Sequence, residues 1–300
     1  MLDLGRLRAL HAVHTHGSIG AAAAALGYTS SAVSQQIAKL EREAGSVLLE
    51  RQGRGVVLTD AAQLLVTAAQ ELMRVVESAE VALEEQRGRP GGRLTVAAFP
   101  TAACGLLPPV LAGLADAYPA LDLRLVEVDA HLSVDLVVRG GVDLAVAHDW
   151  DIAPLPVPEG LGRAVIGDDR CDVLVPAGHP LAARESVLRT DIARERWICQ
   201  PPGSVCHDWL VRTLREAGTE PDMAYQVGEY GTQVALVAAG LGIALVPRLG
   251  RGPLPAGVRV VRLEPAPVRR LYALWRKGAA RRPSIMAAVE ALRTHWRDVQ

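Results

Sequence analysis

The side chains that could carry chemistry in this 300-residue chain fall into two groups. The first lies in residues 30–43, where Ser31, Ser34, Gln35, Ala38 and Arg42 recur at helical spacing opposite Val33, Ile37 and Leu40. At about 100° per residue the three apolar side chains share one side. The polar set then faces away, with Ser30 at the start and Lys39 toward the edge. Such a face suits a DNA major groove: Gln pairs with adenine, Ser donates or accepts, Ala touches a thymine methyl, and Lys and Arg reach phosphates. Arg54, between Gly53 and Gly55, would stand at a hairpin tip and enter the minor groove or hold the backbone. Spacing alone leaves a second reading open, an ordinary solvated helix surface. The basic side chains of residues 1–60 barely outnumber the acidic ones.

The second group is the thiols. Cys104, Cys171, Cys199 and Cys206 have no CxxC spacing, as expected of reduced, mostly inert cysteines. Cys199, Cys206 and His207 could be set together as metal ligands, but a fourth ligand is missing, and no metal is expected. Neither GxGxxG, P-loop nor HExxH spacing occurs, so neither an enzyme nor a bound cofactor is expected. The basic run Arg269, Arg270, Arg276, Lys277, Arg281 and Arg282 reads as solvated surface or an assembly contact.

The elements that must position the first group are short and punctuated by glycine. Leu7, Leu10, His11 and His14 recur at helical spacing until Gly17; Ser18 caps a helix closing at Gly27; Thr29 or Ser30 caps a third that ends before Gly45. Residues 47–49 and 56–58 then flank a small hairpin, which makes residues 1–58 a winged helix-turn-helix. Residues 59–87 hold neither proline nor glycine, and Ala61, Leu65, Ala68, Leu72, Val75, Ala79 and Ala82 step by four and three. That is a seam for a partner helix on a rod of roughly 43 Å, with Leu65, Leu72 and Val75 as its large dimerisation contacts. Residues 87–92 look like a hinge. Beyond them, strand patterns at 94–98, 121–128, 143–147, 171–176, 197–199 and 243–246 alternate with helical ones at 106–117, 133–139, 204–217 and 232–239. This is an α/β domain with largely parallel pairing, closed by a helix at 284–299.

The length allows about two domains. A net charge of −1 argues against a chain that coats nucleic acid by charge alone. The first residues hold no signal-like run, and no stretch reaches the roughly 18–20 apolar residues needed to cross a bilayer, so the expected location is the cytoplasm.

His16-Gly17-Ser18-Ile19, Ala22-Ala23-Ala24, Leu26, the run Ser31 to Ile37, Leu40-Glu41, Gly45, Leu48-Leu49-Glu50-Arg51 and Leu58-Thr59 together resemble the N-terminal signature of LysR-type transcriptional regulators. The likeness continues through Leu107-Pro108, Tyr118-Pro119, Asp143 to Val146, His179-Pro180-Leu181 and residues 237–247. It implies a sequence-specific regulator of transcription, activator or repressor, working as a homodimer or a dimer of dimers on double-stranded DNA. It also implies a C-terminal effector domain like the periplasmic solute-binding proteins. Lobe I would span 93–164 and 266–300, lobe II 165–265, joined by two crossing strands with a small-molecule effector between them. The matching cleft positions are Thr101, Ala102, Ser204 and Thr232, with His148, Asp149 and Trp150 alongside. Each Thr or Ser has an ordinary second reading as a helix N-cap. The chain departs from the family's usual residues at Ser30, Ser31 and Gln35, which alters base contacts, and at Leu49 and Ala62, which are packing positions. Two alternatives remain: thiol sensing and a solute-binding protein without DNA function. Cys206 is near the reactive cysteine of peroxide-sensing members, yet Cys199 precedes it where their partner follows. The first 87 residues speak against a mere solute-binding protein.

Overall fold

The computed structural model describes residues 2–52, 55–150 and 154–298. Three helices open the chain, α1 (Leu4–His16), α2 (Ile19–Leu26) and α3 (Ser30–Ala44). Each begins at a side-chain cap: Asp3 accepts from the Arg6 amide, Ser18 from Ala21 and Thr29 from Ala32. The wing is β1 (Leu49–Gln52) paired antiparallel with β2 (Gly55–Leu58). Its tip, with the expected DNA contact Arg54, lies outside the described residues. Glu41 fastens α3 to the wing, one carboxylate oxygen accepting from the Leu48 and Leu49 amides at 2.9 and 3.3 Å. Leu7, Leu10, Val13, Val33, Ile37, Leu40 and Leu48 close a core of their own.

Thr59 caps α4 (Asp60–Arg87), a single 28-residue helix. Its first turns belong to the head: Ala62, Val66 and Ala69 are buried in that core, and Leu65 packs against it. Leu65 is therefore committed inside the head rather than wholly free for a partner helix. Further along, Leu72 is 44% and Val75 68% exposed, an apolar stripe that nothing in the same chain covers.

The remainder is a two-lobed α/β body. Lobe I begins with β3 (Gly92–Ala98), α5 (Pro100–Gly105), α6 (Leu107–Ala117), β4 (Leu121–Glu127), α7 (Ala130–Val138) and β5 (Leu144–Trp150). The long β6 (Leu161–Pro176) leads into lobe II, with β7 (Ser186–Leu188), α8 (Arg189–Ile192), β8 (Arg196–Cys199), α9 (Val205–Glu216), β9 (Asp222–Gln226), α10 (Tyr230–Ala238), β10 (Ile243–Pro247) and β11 (Val258–Glu264). The chain returns through β12 (Val268–Arg276) and ends with α11 (Pro283–Asp298). One sheet runs β4-β3-β5-β12-β6-β10-β8-β9. Its outer strands are parallel, but β6 is antiparallel to β12, β10 and β11. The pairing is mixed rather than largely parallel because the chain crosses between lobes. β6 pairs with β12 along Leu161 to Arg170 and with β10 from Cys171 on, so one strand serves both lobes. Lobe I has its core around Leu94, Val96, Leu144, Leu271, Ile285 and Trp296; lobe II packs around Trp197, Trp209, Val173, Leu214 and Ile243. Among the described residues no helix is long and apolar enough to cross a membrane.

Candidate functional site

On α3, Val33, Ile37 and Leu40 are buried, while Ser30, Ser31, Ser34, Gln35, Lys39 and Arg42 are all exposed. The first two turns carry the serines and Gln35, so the short polar side chains cluster at the N-terminal end of the helix. Arg42, in the last turn, is exposed and lays its guanidinium back to donate to the Ala38 carbonyl at 3.3 Å. On the far side Arg6 of α1 pairs with Glu43, which fixes α3 against its neighbour.

The cleft is a different chemistry from the one its sequence suggests. Thr101 is not a cap, for Phe99 occupies that position of α5. Its hydroxyl instead accepts from Arg269 at 2.6 Å. Thr232 lies inside α10, whose N-cap is Glu229, and is exposed with its hydroxyl donating to the Glu229 carboxylate at 3.1 Å. Ser204 does cap α9, accepting from the His207 amide. Ala102 is buried in the lobe I core. Of the expected effector residues Trp150 lines the inner cavity; it also stacks on Trp209 at 4.7 Å and so carries a lobe I strand into the lobe II core.

Arg269 organises the floor between the lobes. It is 1% exposed, donates to Asp169 at 2.8 Å and to Thr101, and lies 4.9 Å from the centre of the Phe99 ring. Burial works against its charge, but Asp169 together with Tyr230, Cys171 and Cys206 offsets this and holds the guanidinium above its ordinary value. Arg282 is similarly buried, and Arg276 bonds the Val137 and Val142 carbonyls at 2.8 Å. The basic run expected on the surface is thus divided: Arg270, Lys277 and Arg281 are exposed, whereas Arg269 and Arg282 are buried and Arg276 half-buried, where they find carboxylates and carbonyls on neighbouring elements. Asp169 also accepts from the Leu249 amide at 3.1 Å, and Asp172 takes Arg248 and Arg251. Here the loop after β10 meets α5 backbone to backbone: a Cβ on Gly105 would stand 2.5 Å from the Gly250 nitrogen. Gly250 has φ +71°, so a side chain there is strained as well as obstructed.

The inner cavity, lined by Trp150, Cys171, Cys199, Cys206, Tyr230 and Gln233 among others, holds only about 10 Å³. That is close to the least that admits one water molecule. Tyr230 donates to the Cys206 sulfur at 3.5 Å. Burial pushes the Cys206 and Cys171 thiols up, and that of Cys199 to about 11, so all three favour the neutral form. His148, between Phe99 and Trp150, is held neutral by burial and by Arg269. A wider cleft of about 1000 Å³ opens beside this, between His131 and Leu155 on one wall and His207, Asp208 and Arg212 of α9 on the other. Sequence reasoning missed Arg269, Asp169 and Tyr230; none has a local signature, and only the folded sheet brings them together. Among the described residues no group of three His, Cys, Asp or Glu side chains could hold a metal ion.

Residues 4–63 match the family described as bacterial regulatory helix-turn-helix protein, lysR family, and residues 87–297 match the LysR substrate binding domain. A probable HTH-type transcriptional regulator LrrA of Synechococcus elongatus is 31% identical over 294 residues, covering 97% of each chain. A probable hydrogen peroxide-inducible genes activator of Streptomyces viridosporus is 31% identical over 305 residues, 99% of this chain and 95% of that one. Among solved structures, a cysteine-to-aspartate variant of full-length OxyR from Pseudomonas aeruginosa superposes with a TM-score of 0.70 at 24% identity, covering 98% of this chain and 95% of that one. At that identity the last likeness speaks for the fold alone.

Proposed function

The chain belongs to the LysR family of DNA-binding transcriptional regulators, and from that premise we propose how it works. A cytoplasmic homodimer, paired again into a dimer of dimers, reads its operator through Ser30, Ser31, Ser34 and Gln35, with Lys39, Arg42 and Arg54 on phosphates or the minor groove. A small effector between the lobes then shifts the heads by binding one arrangement more tightly than another. The protein performs no reaction and keeps no cofactor. The observation that carries this reading is the exposed face of α3: polar groups of base-reading length over a fully buried Val33, Ile37 and Leu40.

The test is a gel shift with the DNA upstream of the protein's own gene, over a range of salt. The expected result is a sequence-specific, salt-sensitive shift below about a micromolar. Gln35→Ala should weaken it by about 1–3 kcal/mol if its amide reads a base. No shift at any salt overturns the proposal.

A second reading, in which peroxide is the effector, draws support from the name of the Streptomyces relative and from Cys206 in the small cavity. The upward push on that thiol weighs against it, since the thiolate is the reactive form. A footprint that changes with peroxide in the native protein but not in Cys206→Ser would replace the first reading with this one.

A further inference from the structure

The segment that reads as a hinge in the sequence is tied down. α4 ends at Gly88, and the loop that follows folds back so that the Gly91 amide points at the Glu84 carboxylate, 3.4 Å away. Glu84 is 5% exposed. Its Oε1 also accepts from the Ser284 amide in the first turn of α11 at 2.8 Å, and its Oε2 from Arg282 Nε at 2.9 Å. Arg282 is itself buried, and its other nitrogens reach Asp143 at 2.8 Å and the Arg93 carbonyl. Asp143 completes the chain by accepting from the Thr95 amide at 2.7 Å.

We infer that Glu84 is a positioning residue for regulation, a buried clamp that makes the end of α4 one rigid piece with lobe I. The placement of the network gives it this role. Arg93 and Thr95 lie near the start of β3, and Asp143 immediately precedes β5. The opposite ends of these two strands deliver Phe99 and His148 to the floor of the cleft, where their rings meet at 4.6 Å. A displacement of the cleft floor is therefore carried along two paired strands into Asp143, Arg282 and Glu84, and from there into the helix that holds the DNA-binding head. A free hinge at 88–91 would dissipate that displacement; a buried ion pair with every carboxylate oxygen occupied does not. This rests on the regulatory reading above, because the lever has a purpose only if the heads bind DNA.

The test uses the full-length protein and trypsin, which can cut after Arg87, where α4 runs into this loop. Glu84→Ala and Arg282→Ala are each expected to speed that cut by about tenfold or more, since removing one partner strands the other in the interior. The double variant should cut clearly more slowly than the two single effects combined would give, because both act on one network. Glu290→Ala, which removes an exposed pair with Arg297, should leave the rate unchanged. Where Glu84→Ala does not fold, Glu84→Gln decides, since it keeps an acceptor for the amides and removes the charge. Circular-permutation gels on the upstream DNA form the second arm: the clamp variants should still bind but bend the DNA by a different angle. An unchanged cutting rate, or faster cutting with an unchanged bend, overturns the inference. Absence of any DNA binding by the native protein would instead sink the regulatory reading, with the proteolysis still deciding whether the clamp exists.

Discussion

Arg269 and Asp169 are 100 residues apart in the chain and share one hydrogen-bonded pair on neighbouring strands. With both nearly sealed from solvent, the pair matters through what its loss leaves behind. Arg269→Leu would strand a carboxylate that keeps only the Leu249 amide, so urea unfolding should show a loss of about 3–5 kcal/mol. A loss below about 1 kcal/mol would mean that water or another side chain takes the arginine's place. Residues of this kind are where the sequence was least legible. Ser18 and Thr29 could be read as caps because a cap and its amide lie three residues apart. An arginine in a basic run looks like surface until the strand beside it is known. Thr101 fails for the same reason: its partner, Arg269, is 168 residues away.

At the scale of elements, α4 divides its stripe between two duties. Its N-terminal third is packed into the head, and its middle, with Leu72 and Val75, is exposed, the seam we propose for a second copy. Leu72→Asp with Val75→Asp should therefore turn a dimer into a monomer in analytical ultracentrifugation and abolish operator binding, while the lobes stay folded by circular dichroism. A variant that remains dimeric would place the oligomer contact elsewhere. Leu65 is a poorer test, because a charge there would also damage the head. The helix that carries the heptad was legible, as were β3, β4, β5, β8 and β10, whose apolar periodicity is local, whereas the edge strand β9 was not. The first half of β6 was not. Arg163, Gly167, Asp168, Asp169 and Arg170 give it the makeup of a loop, and only β12 supplies partners such as Arg270 for Asp168. β12 was hidden by the same exchange of charges.

At the scale of the whole molecule, the head has a core separate from those of the lobes, whereas the lobes share β6. Heating should therefore give two transitions, and acid should move the head's. Burial first, then His14, His16 and Arg139, lower His11 from 6.5 to about 4. The unfolded chain takes up that proton sooner than the folded one, so His11 stabilises the head fully above pH 6.5 and progressively less toward about 4. Up to about 3 kcal/mol is involved. His11→Leu should flatten the acid dependence of the head's melting, since its Nε2 has no partner to lose. An unchanged pH profile in calorimetry would put the acid sensitivity elsewhere. The lobes meet differently, at Gly105 and Gly250, where main chain rests on main chain with no side chain between. Such a contact is a mechanical stop: it limits closure of the jaws around the inner space of about 10 Å³, while the cleft of about 1000 Å³ beside it stays open. A guest larger than water can enter the inner space only by prising the jaws apart. For a guest that seats in this inner space occupancy and expansion then go together, and hydrostatic pressure should oppose its binding; a signal held in the open cleft would bind without that penalty.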